Sequence, residues 1–202
     1  MPRSMLDLLS PPRLAPYLAA SHGDIDAAVT MYDWNSSISA AFFESIHYLE
    51  VGLRNAIDAT VTHHIGAGWL SSECGLLTPN SRKVLALALR YAGGVHAGHG
   101  KIVAELPLGF WWSLLADDYN RRLWQPALRH AFEGSTRRRL LHADLDEVRR
   151  LRNRIAHHEP VHHRDLPGDY RRILDVSRRV SPVLSEHIEA TTRVLHILAN
   201  RP

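Results

Sequence analysis

The stretch from Asp24 to Ile65 most constrains the fold, because it contains no proline and a single glycine, Gly52. Apolar residues in it recur every three or four positions, which is the period of a helix with one buried face: Ile38, Phe42, Ile46, Leu49, Leu53, Ile57 and Val61. The stretch predicts either one long helix or two helices with a bend near residues 34–37. Asp24 is the predicted N-cap.

The rest of the chain is typical of helices joined by loops, with no alternating strand and no internal repeat. Residues 1–12 are predicted to be irregular, and the further predicted helices are 13–20, 81–92, 120–132, 169–180 and one last helix with Pro182 in its first turn. We expect the second of these to turn Val84, Leu85, Leu87, Ala88 and Tyr91 inward. The predicted fold is all-α, a single domain over 1–202 with a lead-in at 1–23 and a core at 24–198.

Composition places the chain among ordinary globular proteins, with 45% hydrophobic and 22% charged residues and a formal charge of +3. A lone cysteine, Cys74, excludes an internal disulfide framework and fits a reducing compartment. We find no apolar run near the length of a membrane span and no secretory signal. The expected location is therefore the cytoplasm, without membrane contact.

The segment Leu151–Pro160, Leu-Arg-Asn-Arg-Ile-Ala-His-His-Glu-Pro, concentrates groups that are able to handle a phosphodiester. It ends a helix predicted by the spacing of Leu141, Leu145, Val148, Leu151 and Ile155, which Pro160 should stop; Ser135 is the predicted cap at its start. Arg152 falls within the apolar sector, so its guanidinium must find a partner or open onto a cleft. Asn153 and His157 share another face.

Arg152 and His157 point about 140° apart on a regular helix, so a site that uses both needs a loosened last turn, a bent arginine or a second subunit. The bare Arg-x4-His spacing is weak by itself, since Arg137 and His142 repeat it. Other arginines lie nearby, at positions 137, 138, 139, 149, 150 and 154. They fit either phosphate binding or a solvated helix face balanced by Asp144, Asp146 and Glu147.

A second charged row, Glu50, Arg54 and Asp58, lies at intervals of four in the long predicted helix. It forms ion pairs within that helix, or else Glu50 or Arg54 faces the helix of residues 141–155 and orients its groups. The pairs His63-His64, His157-His158 and His162-His163 match no zinc-binding spacing, and no phosphate-binding glycine loop is present. We therefore expect no metal site and no cofactor.

Three segments resemble the Abi-like (abortive infection) family of the HEPN ribonuclease superfamily: Glu-Val-Gly-Leu-Arg-Asn at 50–55, the apolar element at 106–115, and 151–160 with its Arg-Asn-x-x-x-His signature. In the second, Leu108 replaces the usual aromatic residue before the glycine. The resemblance covers about 24–198 and implies a HEPN-like helical bundle with additional peripheral helices.

The resemblance also implies a metal-independent endoribonuclease, acting as a toxin or phage-defence effector and as a homodimer on RNA. Arg152, Asn153 and His157 would be catalytic; Glu50, Arg54, Arg150, Arg154 and His158 would support them or bind RNA. Glu159 stands where some HEPN toxins carry a tyrosine that a partner enzyme modifies, so silencing by that route is not expected. Any antitoxin protein is unknown. The alternative is a non-catalytic HEPN-like module that binds RNA or a protein partner.

Overall fold

A single long helix is the axis of the fold. The computed structural model of the chain describes residues 8–71, 73–94 and 96–202. A short helix, α1 (Pro11–Ala20), precedes the long helix α2, which runs without interruption from Ile25 to Ile65, 41 residues or about 60 Å. Asp24 caps α2 as predicted, because its carboxylate accepts a hydrogen bond of 3.0 Å from the amide of Ala27. Of the two predicted arrangements, the continuous helix is the one present.

The helices that follow are shorter. They are α3 (Pro79–Ala92), α4 (His99–Glu105), α5 (Leu108–Ser113), α6 (Arg138–Ala156), α7 (Leu166–Val180), α8 (Pro182–Thr191) and α9 (Val194–Ala199). A short 3-10 helix, Ala67–Leu70, follows α2. Every regular element among the described residues is helical, which confirms the all-α prediction.

The hydrophobic core surrounds α2, which contacts α1 and α4 through α9. The apolar residues predicted to form its buried face are each at most 1% exposed. Tyr17 of α1 is also buried in this core, so α1 is part of the packed structure rather than a peripheral lead-in. The helix predicted from Arg13 is confirmed, but it begins earlier, at Pro11, where proline is tolerated in a first turn. Residues 1–7 of the predicted lead-in lie outside the described part of the chain.

Two of the predicted inward positions on α3 are wrong. Leu85 and Ala88 are buried, whereas Leu87 is 43% exposed and Tyr91 is 65% exposed. Helix α3 lies at the periphery, where it packs on α4 and α5, so its neighbours cover only a narrow face.

The predicted helix over 120–132 is also wrong. That region forms a chain of short turns, a 3-10 helix Asp117–Tyr119, a π-helical turn Asn120–Trp124 and a 3-10 helix Leu128–Ala131. Pro126 accounts for the break, because it has no amide hydrogen and disfavours helical geometry in the residue before it. Ser135 does not cap α6, whose N-cap is Arg137 without a side-chain hydrogen bond.

The predicted last helix is divided into α8 and α9 by a break at Thr192 and Arg193. The Thr192 hydroxyl accepts a hydrogen bond of 3.2 Å from the amide of Val194 and lies 3.1 Å from the Ser45 hydroxyl on α2. Beyond the break, the indole of Trp34 donates to the carbonyl of Ile197 at 2.9 Å. The break therefore lets α9 dock against the first half of α2. Among the described residues, no helix is long and apolar enough to cross a membrane.

Candidate active site

Helix α6 carries the segment 151–160, which we call the motif segment, and the helix ends inside it. Its buried face consists of the apolar residues that the spacing predicted, together with Arg138 near the start. The last helical residue is Ala156, and His157 occupies the C-cap, so the predicted stop before Pro160 is confirmed. The amide of His158 donates to the carbonyl of Ile155 at 3.0 Å and the amide of Glu159 donates to that of Arg154 at 2.8 Å. These two bonds form a Schellman motif.

The residue that closes this Schellman motif is unusual. His158 has a φ of 55°, the left-handed conformation that glycine ordinarily supplies at this position. Its carbonyl also accepts a hydrogen bond from Arg13 of α1. A histidine here is disfavoured by its Cβ, so the surrounding contacts hold the backbone in this conformation.

Glycine at position 158 is expected to make the fold about 1 kcal/mol more stable than alanine at the same position. Both substitutions remove the imidazole, but only glycine adopts the left-handed conformation without a Cβ clash. Urea unfolding of His158→Gly and His158→Ala at one pH measures the difference in the free energy of unfolding. Equal stability of the two variants would contradict a left-handed residue at this position.

Arg152 lies where α6 crosses α2. Its Nε is 3.8 Å from Oε2 of Glu50, and the arginine side chain remains 32% exposed. The same Nε is buried and has no hydrogen-bond partner among the described residues. The other oxygen of Glu50 accepts a hydrogen bond of 3.1 Å from the amide of Leu108 at the start of α5. Glu50 therefore faces α6 and connects it to α5.

Arg54 lies one turn along α2 from Glu50, on the same side of that helix. Its Nη1 donates to the carbonyl of Ala104 at 3.4 Å, while its Nε is buried and unpartnered like that of Arg152. We call Glu50, Arg54 and Arg152 the Glu50 cluster. Arg152 pairs with the carboxylate of Glu50, whereas Arg54 donates to a backbone carbonyl, so two guanidinium groups and one carboxylate leave the cluster with an excess of positive charge. Such an arrangement suits a phosphate oxygen.

His157 and Asn153 lie on a different face of α6. The carbonyl of Asn153 accepts a hydrogen bond of 3.0 Å from the amide of His157, and the side chain of His157 is exposed. The imidazole is therefore accessible to a ligand. Arg152 approaches Glu50 of α2 while His157 is exposed at the C-cap, and no contact among the described residues joins their two side chains.

Arg150 and Arg154 are engaged by acidic and carbonyl groups of their own surroundings. Arg150 pairs with Asp146 at 2.9 Å and with Glu147 at 3.2 Å, both one turn earlier on α6. Arg154 pairs with Glu159 at 3.3 Å and donates to the carbonyl of Pro160 at 2.9 Å. These contacts fit a balanced helix face and a tied helix end better than a free phosphate site.

Asn35, on α2, holds the chain directly after the motif segment. Its side-chain oxygen accepts hydrogen bonds from the amides of Val161 at 2.8 Å and His162 at 3.1 Å, and Asn35 is only 6% exposed. Sequence reasoning missed this residue, because an asparagine among exposed serines carries no signal of a partner 126 positions away. Asn35 fixes the direction in which the chain leaves α6.

The pH dependence of stability is expected to come partly from His162. Burial lowers the pKa of His162, and His163 and Arg201 lower it further; burial, Arg154 and Arg164 also lower the pKa of His163. Below about pH 6.5 the unfolded chain takes up protons that the folded chain does not, so the free energy of unfolding falls as pH falls. Each histidine contributes at most about 1.4 kcal/mol per pH unit.

Replacing His162 with phenylalanine removes one of these proton-binding side chains and keeps an aromatic ring beside Tyr17. The ring centroids of His162 and Tyr17 lie 5.0 Å apart. Denaturant unfolding of both proteins at pH 7.5 and pH 5.5 is the measurement (about one unit above and below the ordinary pKa). The wild type is expected to lose more stability than His162→Phe between these values. An equal loss would show that His162 does not bind fewer protons in the folded state.

Comparison of the chain with protein-family models, with curated proteins and with solved structures found no match in any of the three. Among the described residues, no group of three or more His, Cys, Asp or Glu side chains is arranged to hold a metal ion.

Proposed function

We propose that this chain is an endoribonuclease of the HEPN type, built as a HEPN-like helical bundle, that cleaves RNA without a metal ion. One observation carries the proposal. The Arg152 side chain lies 3.8 Å from Glu50 and remains 32% exposed, while His157 is exposed at the end of the same helix. A cation for phosphate charge and an accessible proton carrier are the two groups that this chemistry requires.

In the proposed reaction, the 2′-hydroxyl of a ribose attacks the adjacent phosphorus and the bond to the 5′-oxygen of the next nucleotide breaks. The 2′-hydroxyl gives up its proton and the departing 5′-oxygen gains one, which leaves a 2′,3′-cyclic phosphate and a 5′-hydroxyl. His157 transfers one of these protons, as general base or general acid. Arg152 stabilises the charge that develops on the phosphate oxygens, an electrostatic role that its planar donor groups suit.

Glu50, Arg54 and Asn153 support these groups. Glu50 orients Arg152 from a distance of 3.8 Å, and Arg54 adds a second cation one helical turn away. Asn153 holds a phosphate oxygen or orients His157, with which it shares one side of α6. His158 shapes the end of α6. Arg150 and Arg154 lie on the same helix, beside the proposed catalytic residues.

The separation of Arg152 and His157 supports a homodimer as the active form. In a two-fold dimer the groups of two motif segments face one cleft, so that Arg152 of one subunit and His157 of the other act on one phosphate. The resemblance to HEPN proteins implies the same arrangement. The proposed setting is the cytoplasm of a cell in which RNA cleavage acts as a toxin or a phage defence.

The direct test is to incubate the purified protein with RNA in EDTA and to analyse the ends of any fragments. We expect cleavage, with 2′,3′-cyclic phosphate and 5′-hydroxyl ends. Cleavage that requires an added metal ion would overturn the mechanism. RNA binding without fragments would favour the non-catalytic module, and growth arrest of bacteria by the wild type but not by His157→Ala would support the toxin role.

A further inference from the structure

A cavity of about 340 Å³ opens beside the end of α6. Ile155 and Ala156 line one side of it, and His158 and Glu159 continue that wall. Residues of α2 also line it, and they include Phe43, which is 45% exposed. We call this space the Phe43 cavity. Among the described residues that line it there is none of the Glu50 cluster, so it is separate from the phosphate-binding groups.

The walls of the Phe43 cavity define the chemistry of a ligand. Phe43 and Tyr32 supply aromatic surface, and Ser36, Ser39 and Glu159 add hydroxyl and carboxylate oxygens. No lysine or arginine is among the described lining residues, and Arg154, whose Nη1 lies 3.3 Å from Oε2 of Glu159, balances the charge of that carboxylate. The matching ligand is therefore flat, uncharged and a hydrogen-bond donor, which describes a nucleobase better than a phosphate or an acidic peptide.

The position of the cavity relative to His157 connects it to RNA. Ala156 and His158, the two neighbours of His157 in the chain, both line the cavity. His157 itself is not among the described residues that line the cavity, but its two neighbours place the cavity next to it along the chain. The left-handed backbone of His158 is a second observation, because a histidine lines this cavity at a position where glycine would be less strained.

We propose that the Phe43 cavity is a nucleobase-binding pocket that prefers a base with an exocyclic amine, namely guanine, adenine or cytosine, over uracil. An exocyclic amine offers two N–H donors to the carboxylate of Glu159 and the serine hydroxyls, whereas uracil offers only its single ring N3–H. The volume falls within the range of pockets that hold small ligands. The role of the pocket in choosing a cleavage site rests on the proposed ribonuclease function, but the binding of a base does not.

The test uses nucleosides, which lack a phosphate and so do not depend on Arg152. Adenosine, guanosine, cytidine and uridine are titrated into the full chain to millimolar concentration, and binding is followed by NMR chemical shifts. We expect uridine to bind weakest. Phe43→Ala should weaken the binding of the other three about 5-fold to 150-fold, the effect of losing one base–aromatic stack. Ser39→Trp, which fills the cavity, should abolish it.

Tyr48→Ala is the matched control, because Tyr48 is also an exposed aromatic residue of α2, at 40%, but packs against His187 outside the cavity. It should leave nucleoside binding unchanged, as should Arg152→Ala. If the wild type binds no nucleoside, or if Phe43→Ala binds as well as the wild type, the proposal that the cavity binds a base is wrong, even where RNA is cleaved. Nucleoside binding without any RNA cleavage would instead support the proposed nucleobase pocket and contradict the proposed ribonuclease function.

A second copy of the chain is the other partner that could cover the Phe43 cavity, and the test distinguishes it from a base. Concentration-dependent dimerisation that Phe43→Ala abolishes, together with an absence of nucleoside binding, would assign this surface to a second copy of the chain and overturn the pocket. Where RNA is cleaved, the cleavage sites give an independent readout. Phe43→Ala should then relax the discrimination against uracil beside the cut while Tyr48→Ala retains it.

Discussion

Replacing His157 with alanine is expected to slow RNA cleavage by about 10²-fold to 10⁴-fold, the contribution of a general acid or base. Arg152→Ala is expected to reduce the rate by a similar factor, because a cation beside the developing phosphate charge is lost. Arg152→Lys should recover only part of the rate, since a lysine keeps the charge but not the paired donors. Initial rates on one RNA, with enzyme in excess, measure these effects.

Arg150→Ala provides the control for this series. Arg150 lies on the same helix, is 59% exposed and pairs with acids of its own helix, so its removal changes the local charge without touching the Glu50 cluster. We expect less than a tenfold change for it, in keeping with the small energies of exposed ion pairs. Equal losses for Arg150→Ala and Arg152→Ala would indicate a general effect of positive charge and would contradict a specific role for Arg152.

Asn35→Ala is expected to lower the free energy of unfolding by about 2 to 5 kcal/mol, because two buried backbone amides lose their acceptor at once. Those amides belong to Val161 and His162, which follow the motif segment. The loss is a large fraction of the stability of a typical domain. Urea unfolding monitored by circular dichroism measures it.

Ser37→Ala is the matched control for Asn35→Ala. Ser37 lies two residues away on α2 and is exposed, and its hydroxyl donates to the carbonyl of Asp33, at 3.0 Å, within the same helix. Its replacement should change the free energy of unfolding by less than about 0.5 kcal/mol. A loss of unfolding free energy for Asn35→Ala no larger than this would show that water replaces the asparagine oxygen. The chain after α6 would then not be fixed by α2.

Local patterns predicted the long helix well. The apolar spacing in α2 carries the information, because each of those residues lies on one face and meets the core through that face alone. The cap by Asp24 and the stop before Pro160 depend on backbone geometry within a few residues. Sequence alone specifies features of this kind, since no distant part of the chain is needed to produce them.

Features that depend on distant neighbours were predicted less well. Leu87 and Tyr91 have the right periodicity, but α3 has too few neighbours to cover them. Periodicity in residues 120–132 favoured a helix, although Pro126 disrupts it. The burial of Tyr17 follows from the docking of α1 on α2, which residues 13–20 do not indicate by themselves.

The candidate site shows the same division. The intervals of four among Glu50, Arg54 and Asp58 left open whether these residues pair with one another or face α6, and the approach of Glu50 to Arg152 appears only in three dimensions. Asp58 instead pairs with His99 at 2.8 Å and accepts from the indole of Trp69 at 2.9 Å. The Phe43 cavity was missed as well, although Phe43, beside the buried Phe42, falls outside the apolar stripe and signals an outward aromatic ring.

The continuity of α2 makes this protein sensitive to changes in length at its centre. One unbroken helix carries Asn35, Phe43, Glu50 and Arg54. The directions of their side chains relative to one another therefore follow from the number of residues between them. One inserted residue between Phe43 and Glu50 would turn everything beyond it by about 100° and advance it by about 1.5 Å. Related chains should therefore keep the number of residues in this interval even where its exposed positions differ, because an added or deleted residue would turn Glu50 away from Arg152 while leaving Asn35 in place.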